Sequence, residues 1–215
     1  ERLDHPGEVY PLPLPDSEGS ALVPLVHPEP VPVYVAAMGP ANLRLTGEVA
    51  DGWLGNAFVP EAADVILDPI REGAASVGRR LADLDLVAPV AVQFADDPAA
   101  AEAAVVEHAR GYAFTIGAMG TRGRNFYNDA FARLGFAAEV AEVERLWRAG
   151  DREAARATVP IELGRLTNLV GTDAEIADRL ERHASVGITT VLAKLAGPGD
   201  EQLRTVERLL PLLPA

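Results

Sequence analysis

Two stretches of the chain hold residue types that could do chemistry. In the first, the small residues Ala36, Ala37 and Met38 lead into Gly39-Pro40-Ala41-Asn42. Glycine lets a backbone turn sharply or come close to a ligand. Pro40 has a fixed φ and no N–H, which suits the first position of a helix. A helix starting there points its free N–H groups and positive dipole end beyond the preceding strand, a natural seat for a phosphate. An ordinary strand-to-helix turn has the same spacing. The second stretch is 114–127, where Arg122, Arg124, Asn125 and Tyr127 could meet a ligand; the alternative is a surface insertion. His5 and His27 have no second ligand at metal spacing and read as solvated or structurally bonded. His108 reads as packed or bonded within its own helix. No metal site is expected.

The elements that must position these residues follow from periodicity. A β-branched and aromatic run over 31–38 predicts a strand buried on both faces, and 53–56 the next strand after Asp51-Gly52. A helix is expected over 61–77 with Ile66, Ile70 and Ala74 inward, kinked or interrupted by Pro69. Residues 84–94 predict a third strand, and Asp96-Asp97-Pro98 caps an alanine-rich helix. Residues 114–136 show no regular pattern. Three short helices are expected over 139–149, 151–158 and 160–169. Thr172 to Glu175 is a capping box, and its helix should turn Ile176, Leu180 and Ala184 inward. Residues 188–193 form the fourth strand, followed by a helix burying Leu203, Val206, Leu210 and Leu213. Residues 1–30 are proline-rich, with 9–15 an edge strand or extended arm. Four strands alternating with helices imply a parallel α/β sheet with ligands at the carboxyl ends of the strands.

Composition narrows the partners. The 215 residues are 48% hydrophobic, enough for a sizeable core, and carry a net charge of −13. That field repels nucleic acid and anionic membrane, so an anionic ligand must be held by backbone dipoles or a few arginines. The absence of cysteine excludes disulfides, thiolate catalysis and Cys-ligated metals. No membrane-length apolar run or signal peptide is visible, so the expected location is the cytoplasm. A start at Glu1 fits a piece of something longer.

The run Val33-Tyr34-Val35-Ala36-Ala37-Met38-Gly39-Pro40, followed by Gly47-Glu48-Val49-Ala50-Asp51-Gly52-Trp53, resembles the luciferase-like monooxygenase superfamily, and within it the branch using the deazaflavin coenzyme F420. The likeness continues through Ile66 to Ala74, Asp96-Asp97-Pro98, Leu169-Val170-Gly171-Thr172 and Ala184 to Thr190, with Asp4 to Tyr10 similar to the family's preceding arm. It implies a (β/α)8 TIM barrel of which only the second half, about four strand–helix units, is present: a single partial domain over 1–215. The arm would span 1–30, the first βα units 31–113, a helical insertion 114–170 and the last helix–strand–helix 171–215. The resemblance places Ala36, Ala37, Met38, Gly39 and Pro40 against the cofactor, and Gly55 and Asn56 by the pocket floor. Serine, tyrosine and arginine, usual near phosphate in the flavin branch, are missing from 36–42, which favours deazaflavin over FMN. The implied activity is hydride transfer to or from a small organic substrate. Trp53 and the 114–127 segment are candidate substrate-side walls, the alternative for Trp53 being core packing between strand and helix. No catalytic acid or base is assigned, because the family carries it on the first four strands. A flavin-dependent monooxygenase and a truncated, non-catalytic binding or assembly relative are the alternatives. Two uncovered sheet edges in half a barrel imply a homodimer.

Overall fold

The computed structural model describes residues 7–9, 11, 30–120 and 125–214. His5, His27, Arg122 and Arg124, and most of the expected arm, lie outside them. The chain divides into Glu1–Pro32 and Val33–Ala215, and the second unit holds every element below. In order these are β1 (Tyr34–Ala36), α1 (Pro40–Val49), β2 (Gly52–Leu54), α2 (Asp64–Ser76), β3 (Asp85–Phe94), α3 (Pro98–Ala118) and α4 (Phe126–Phe131). Then come α5 (Ala137–Arg148), α6 (Arg152–Thr158), α7 (Ile161–Leu166), β4 (Leu169–Gly171), α8 (Asp173–Ser185), β5 (Thr190–Lys194) and α9 (Gly199–Leu209).

Every strand pairing is parallel, and β3 is the hub. Its start pairs with β2, residues Val87–Ala91 with β5, and its last three residues with β4. Alternation sorts its side chains. Leu86, Ala88, Val90 and Val92 are buried beneath helices, the first two with Leu43, Ile66 and Ile70, the others with Leu169, Ile176 and Leu180. The odd positions, from Asp85 to Gln93, lie on the opposite, concave face. Pro89 fits in this central strand for a readable reason. The Val87 carbonyl accepts from Gly55 on the β2 side, and the Leu86 carbonyl from Thr189 on the β5 side. The N–H that Pro89 lacks would point to the β2 side, just where β2 ends. A separate core joins α3, α4, α5, α6 and α7 through Ile116, Phe131, Val143, Ala155 and Leu163.

The parallel α/β class and the partial barrel arrangement are as expected; several details differ. β1 is shorter than 31–38 and is half-exposed, because it pairs only with β2 among the described residues. α2 runs unbroken through Pro69, held by Ile66, Leu67, Ile70 and Ala74 in the core. α3 continues through 114–118. The 160–169 segment is helical only to Leu166, and Leu169 opens a fifth strand, β4. α8 buries Arg179 and His183 in place of the exposed Ala184. α9 buries Leu209, while Leu203, at 59% exposure, Leu210 and Leu213 face outward.

Two constraints can be tested. α1 and α2 cross at Gly47 and Gly73: a Cβ at Gly73 would run into the Arg44 carbonyl, and one at Gly47 would stand 2.6 Å from the Ala74 amide nitrogen. Gly73→Ala gains about 1 kcal/mol of helix propensity but forces the helices apart, at about 1–3 kcal/mol. A lower urea midpoint is expected; an unchanged one removes the constraint. At the other end of the sheet Asp85 accepts from the hydroxyls of Tyr34 (2.8 Å), Thr190 (2.8 Å) and Thr189, joining β1, β3 and β5. Burial pushes its pKa up, but the three donors outweigh burial and hold it below the usual carboxylate range. A depressed carboxylate stabilises the fold above its unfolded pKa of about 4 and loses that contribution as pH falls through the folded value. Between about pH 5 and pH 2 the urea midpoint of the wild type should therefore fall more steeply than that of Asp85→Asn; parallel acid limbs would discard the clamp.

Candidate functional site

The carboxyl end of β1 opens into a cleft of about 560 Å³. One wall is the turn itself: Ala36, Ala37, Met38, Gly39, Pro40 and the first residues of α1. The other is built from α4 and its continuation, with Phe126, Tyr127, Asp129 and Arg133.

Three successive carbonyls in this turn are held by three different elements. The indole N–H of Trp53, on β2, donates to the Ala37 carbonyl (2.9 Å). Arg133 donates to the Met38 carbonyl (2.6 Å), and the Leu43 amide to the Gly39 carbonyl (2.9 Å). With its acceptors occupied, the turn faces the cleft as a donor surface. The first-turn amides of Ala41 and Asn42 have no partner within the helix, Pro40 has none to offer, and Gly39 supplies no capping side chain. Gly39 has φ −84°, open to any residue, so the turn does not need glycine for its conformation. A Cβ there would meet nothing within 4 Å. Neither backbone strain nor packing accounts for the glycine; the open space before it is the cleft.

The far wall depends on local geometry in the helical segment. Asn125 caps α4, accepting from the amides of Tyr127 (3.0 Å) and Asn128 (3.3 Å), while its own amide donates to the Ile116 carbonyl (2.8 Å). That fixes α4 to the end of α3. The chain continues past α4 and kinks at Gly135, φ 100°, before α5, and Arg133 lies between α4 and that kink. Arg133 places a guanidinium at the cleft, with the Asp129 carboxylate on the same wall.

The sequence-predicted residues divide accordingly. Ala36 to Pro40 come together at the cleft, and Tyr127 joins them from across it. Asn125 is buried and serves as a cap. Gly55 and Asn56 are not among the cleft's lining residues; Gly55 lies under the Trp53 ring, and its N–H donates to Val87. Trp53, a candidate for a substrate wall or for core packing between strand and helix, takes the second role: it is 1% exposed and packs edge-on against Phe58. It acts on the site through the Ala37 carbonyl. His108 bonds outside its own helix, to Gln93 of β3 (3.0 Å). Arg133 was not foreseen: the tertiary packing of the segment after α4 brings it to the turn 95 residues earlier. Nor were Arg179, which pairs with Glu61 and the Leu166 carbonyl, and His183, whose ring meets the Arg179 carbonyl (2.7 Å). Among the described residues no three carboxylates or histidines stand together as a metal site, and no helix is long and apolar enough to cross a membrane.

Comparisons with known proteins bear on this geometry. A protein of Mycobacterium tuberculosis whose name places it with the coenzyme F420-dependent oxidoreductases is 32% identical over 89% of this chain and 55% of its own. The 5,10-methylenetetrahydromethanopterin reductase of Methanopyrus kandleri is 29% identical over 80% of this chain and 47% of its own. The solved structure of the coenzyme F420-dependent tetrahydromethanopterin reductase from Methanopyrus kandleri shares the fold, with a TM-score of 0.63 at 24% identity over 85% of this chain and 50% of that one. The chain thus spans about half the length of the relatives it matches. A family model described as luciferase-like monooxygenase matches residues 1–190. With most of its length inside that model, the chain belongs to the luciferase-like monooxygenase family.

Proposed function

We propose that the cleft at the end of β1 holds the deazaflavin coenzyme F420, and that the protein serves hydride transfer between that coenzyme and a small organic substrate. Gly39 carries this reading: an unobstructed, side-chain-free position beside uncapped helix amides suits close contact with an anionic group. The names of the relatives point to the same cofactor.

The coenzyme, when bound, supplies the hydride chemistry. The chain's own residues bind and orient. The α1 amides and the Arg133 guanidinium offer donors to an anion. Trp53 fixes the height of Ala37, and with it the floor beneath Ala36 and Met38. Phe126 and Tyr127 narrow the cleft with apolar surface, which keeps water from the reacting face. The 114–170 segment is, in this reading, an insertion of a single partial barrel domain that supplies the second wall. No acid or base is assigned.

We further infer a cytoplasmic homodimer. β1 and β5 each pair with one neighbour among the described residues, and Tyr34 and Leu192 are exposed on the concave face. Such edges and apolar surface favour association.

Titrating the chain with F420 and following fluorescence quenching tests the first reading, with FMN as comparator. Gly39→Val should weaken F420 at least about tenfold, the loss of one or two charge-assisted bonds, with an unchanged melting temperature. FMN binding without F420 binding would replace the cofactor, and F420 binding untouched by Gly39→Val would move the site. Light scattering should give a mass above the 22.8 kDa protomer; a clean monomer counts against the homodimer.

A further inference from the structure

We propose that Lys194, together with the Gln93–His108 pair, forms a second recognition surface, at the carboxyl ends of β5 and β3, that takes a carboxylate of the organic substrate. That the carboxylate belongs to a substrate rests on the hydride-transfer reading; the anion site itself does not.

Lys194 stands opposite Ala91 in the β3–β5 register, so its side chain shares the concave face with Ala91 and with Gln93 two residues further on. Gln93 and Lys194 are both exposed there. The Gln93 carboxamide is oriented from behind. His108 Nε2 lies 3.0 Å from Gln93 Oε1, an oxygen that can only accept, so the imidazole is the donor. The Gln93 NH2 is then left to face outward. Burial, then the charge of Lys194, then Glu107 acting the other way, leave the His108 pKa below its ordinary value. The ring is therefore mostly neutral near pH 7, with its proton on Nε2.

The result is a surface of donors. Lys194 has no carboxylate or hydrogen-bond partner among the described residues, whereas Glu107, beside His108, is already paired with Arg156 (3.2 Å) and Arg110 (3.9 Å). In a chain of net charge −13, Lys194 is also the only lysine. An ammonium and an amide on one face are the donor types that a carboxylate accepts from. β1 lies three strand positions from β5, about 14 Å across the sheet. A ligand entering at the β1 cleft therefore meets this surface from the opposite side of the concave face.

The test uses the full chain with benzoate as probe and benzamide as its neutral counterpart, reading the His108 ring signals by NMR, assigned with His108→Asn. Benzoate should shift these signals saturably and benzamide should not. Lys194→Met should weaken benzoate about tenfold or more, and Lys194→Arg should restore most of it. F420 quenching should be the same in Lys194→Met and wild type, since Lys194 lies outside the cleft. Equal benzoate affinity in wild type and Lys194→Met, or no response at His108, overturns the proposal. Absence of F420 quenching in the wild type with the benzoate response intact overturns the cofactor reading and leaves the anion site standing.

Discussion

The occupied carbonyls at the end of β1 are the constraint on which the site depends. A strand that ends beside a helix N-terminus presents acceptors and donors together, and mixed polarity attracts water as readily as an anion. Here the Ala37, Met38 and Gly39 carbonyls are held by β2, by the turn after α4 and by α1. What the turn itself presents to the cleft is the first-turn amides of α1, with the Asp129 carboxylate on the far wall. Each of those donors also carries an architectural duty: Trp53 fills the core between sheet and helices, Leu43 belongs to the same core, and Arg133 draws the far wall toward the turn. Binding surface and packing are therefore set by the same contacts.

β3 extends that logic across the sheet. Its even positions enter two separate apolar clusters, fixing the strand against α2 and then α8. Its odd positions are thereby confined to the concave face, which changes in character along the strand. Asp85 and its three hydroxyl donors close the amino end, Val87, Pro89 and Ala91 give an apolar middle, and Gln93 sits at the carboxyl end. Polar groups satisfied internally at one end and open at the other give the face a direction, and ligands of parallel sheets sit at that open end.

Much of this was legible in the chain because it is local. Gly39-Pro40, the Asp97 cap and the Thr172–Glu175 box each act within one turn of helix, and all three take the expected conformation. Resemblance carried the barrel further than periodicity could. What escaped the reading depends on distant partners. β4 is three residues long and exists because the end of β3 offers it a ladder, with Asn168 bonding the Ala91 amide alongside. Trp53 fits a ligand wall or a core by residue type alone, and its place in β2 against the helices settles it in the core. Arg133 reaches Met38 across 95 residues of chain, a contact that leaves no periodic trace. The apolar stripe expected to be buried by the last helix is instead exposed at Leu203, Leu210 and Leu213, because a stripe states that a face needs cover and not where the cover comes from.

Electrostatics ties these features together. With 32 acidic residues against 19 basic ones, the mean field of the chain discourages an anionic ligand. Most of its arginines are paired on helix surfaces, as Arg145 is with Glu142 and Arg182 with Asp178, so they add little attraction at a distance. Arg133 sits against a backbone carbonyl, and Lys194 has no acidic partner among the described residues. Both stand where strands end, on opposite sides of the concave face. Over distances longer than about 8 Å, ionic screening mutes the unfavourable net charge at physiological salt, whereas donors within hydrogen-bonding reach are hardly screened. An acidic protein can thus hold an anion provided that its few unneutralised cations and free amides are gathered at the carboxyl edge of the sheet, and in this chain the register of β3 with β5 and the segment between α4 and α5 are what gather them.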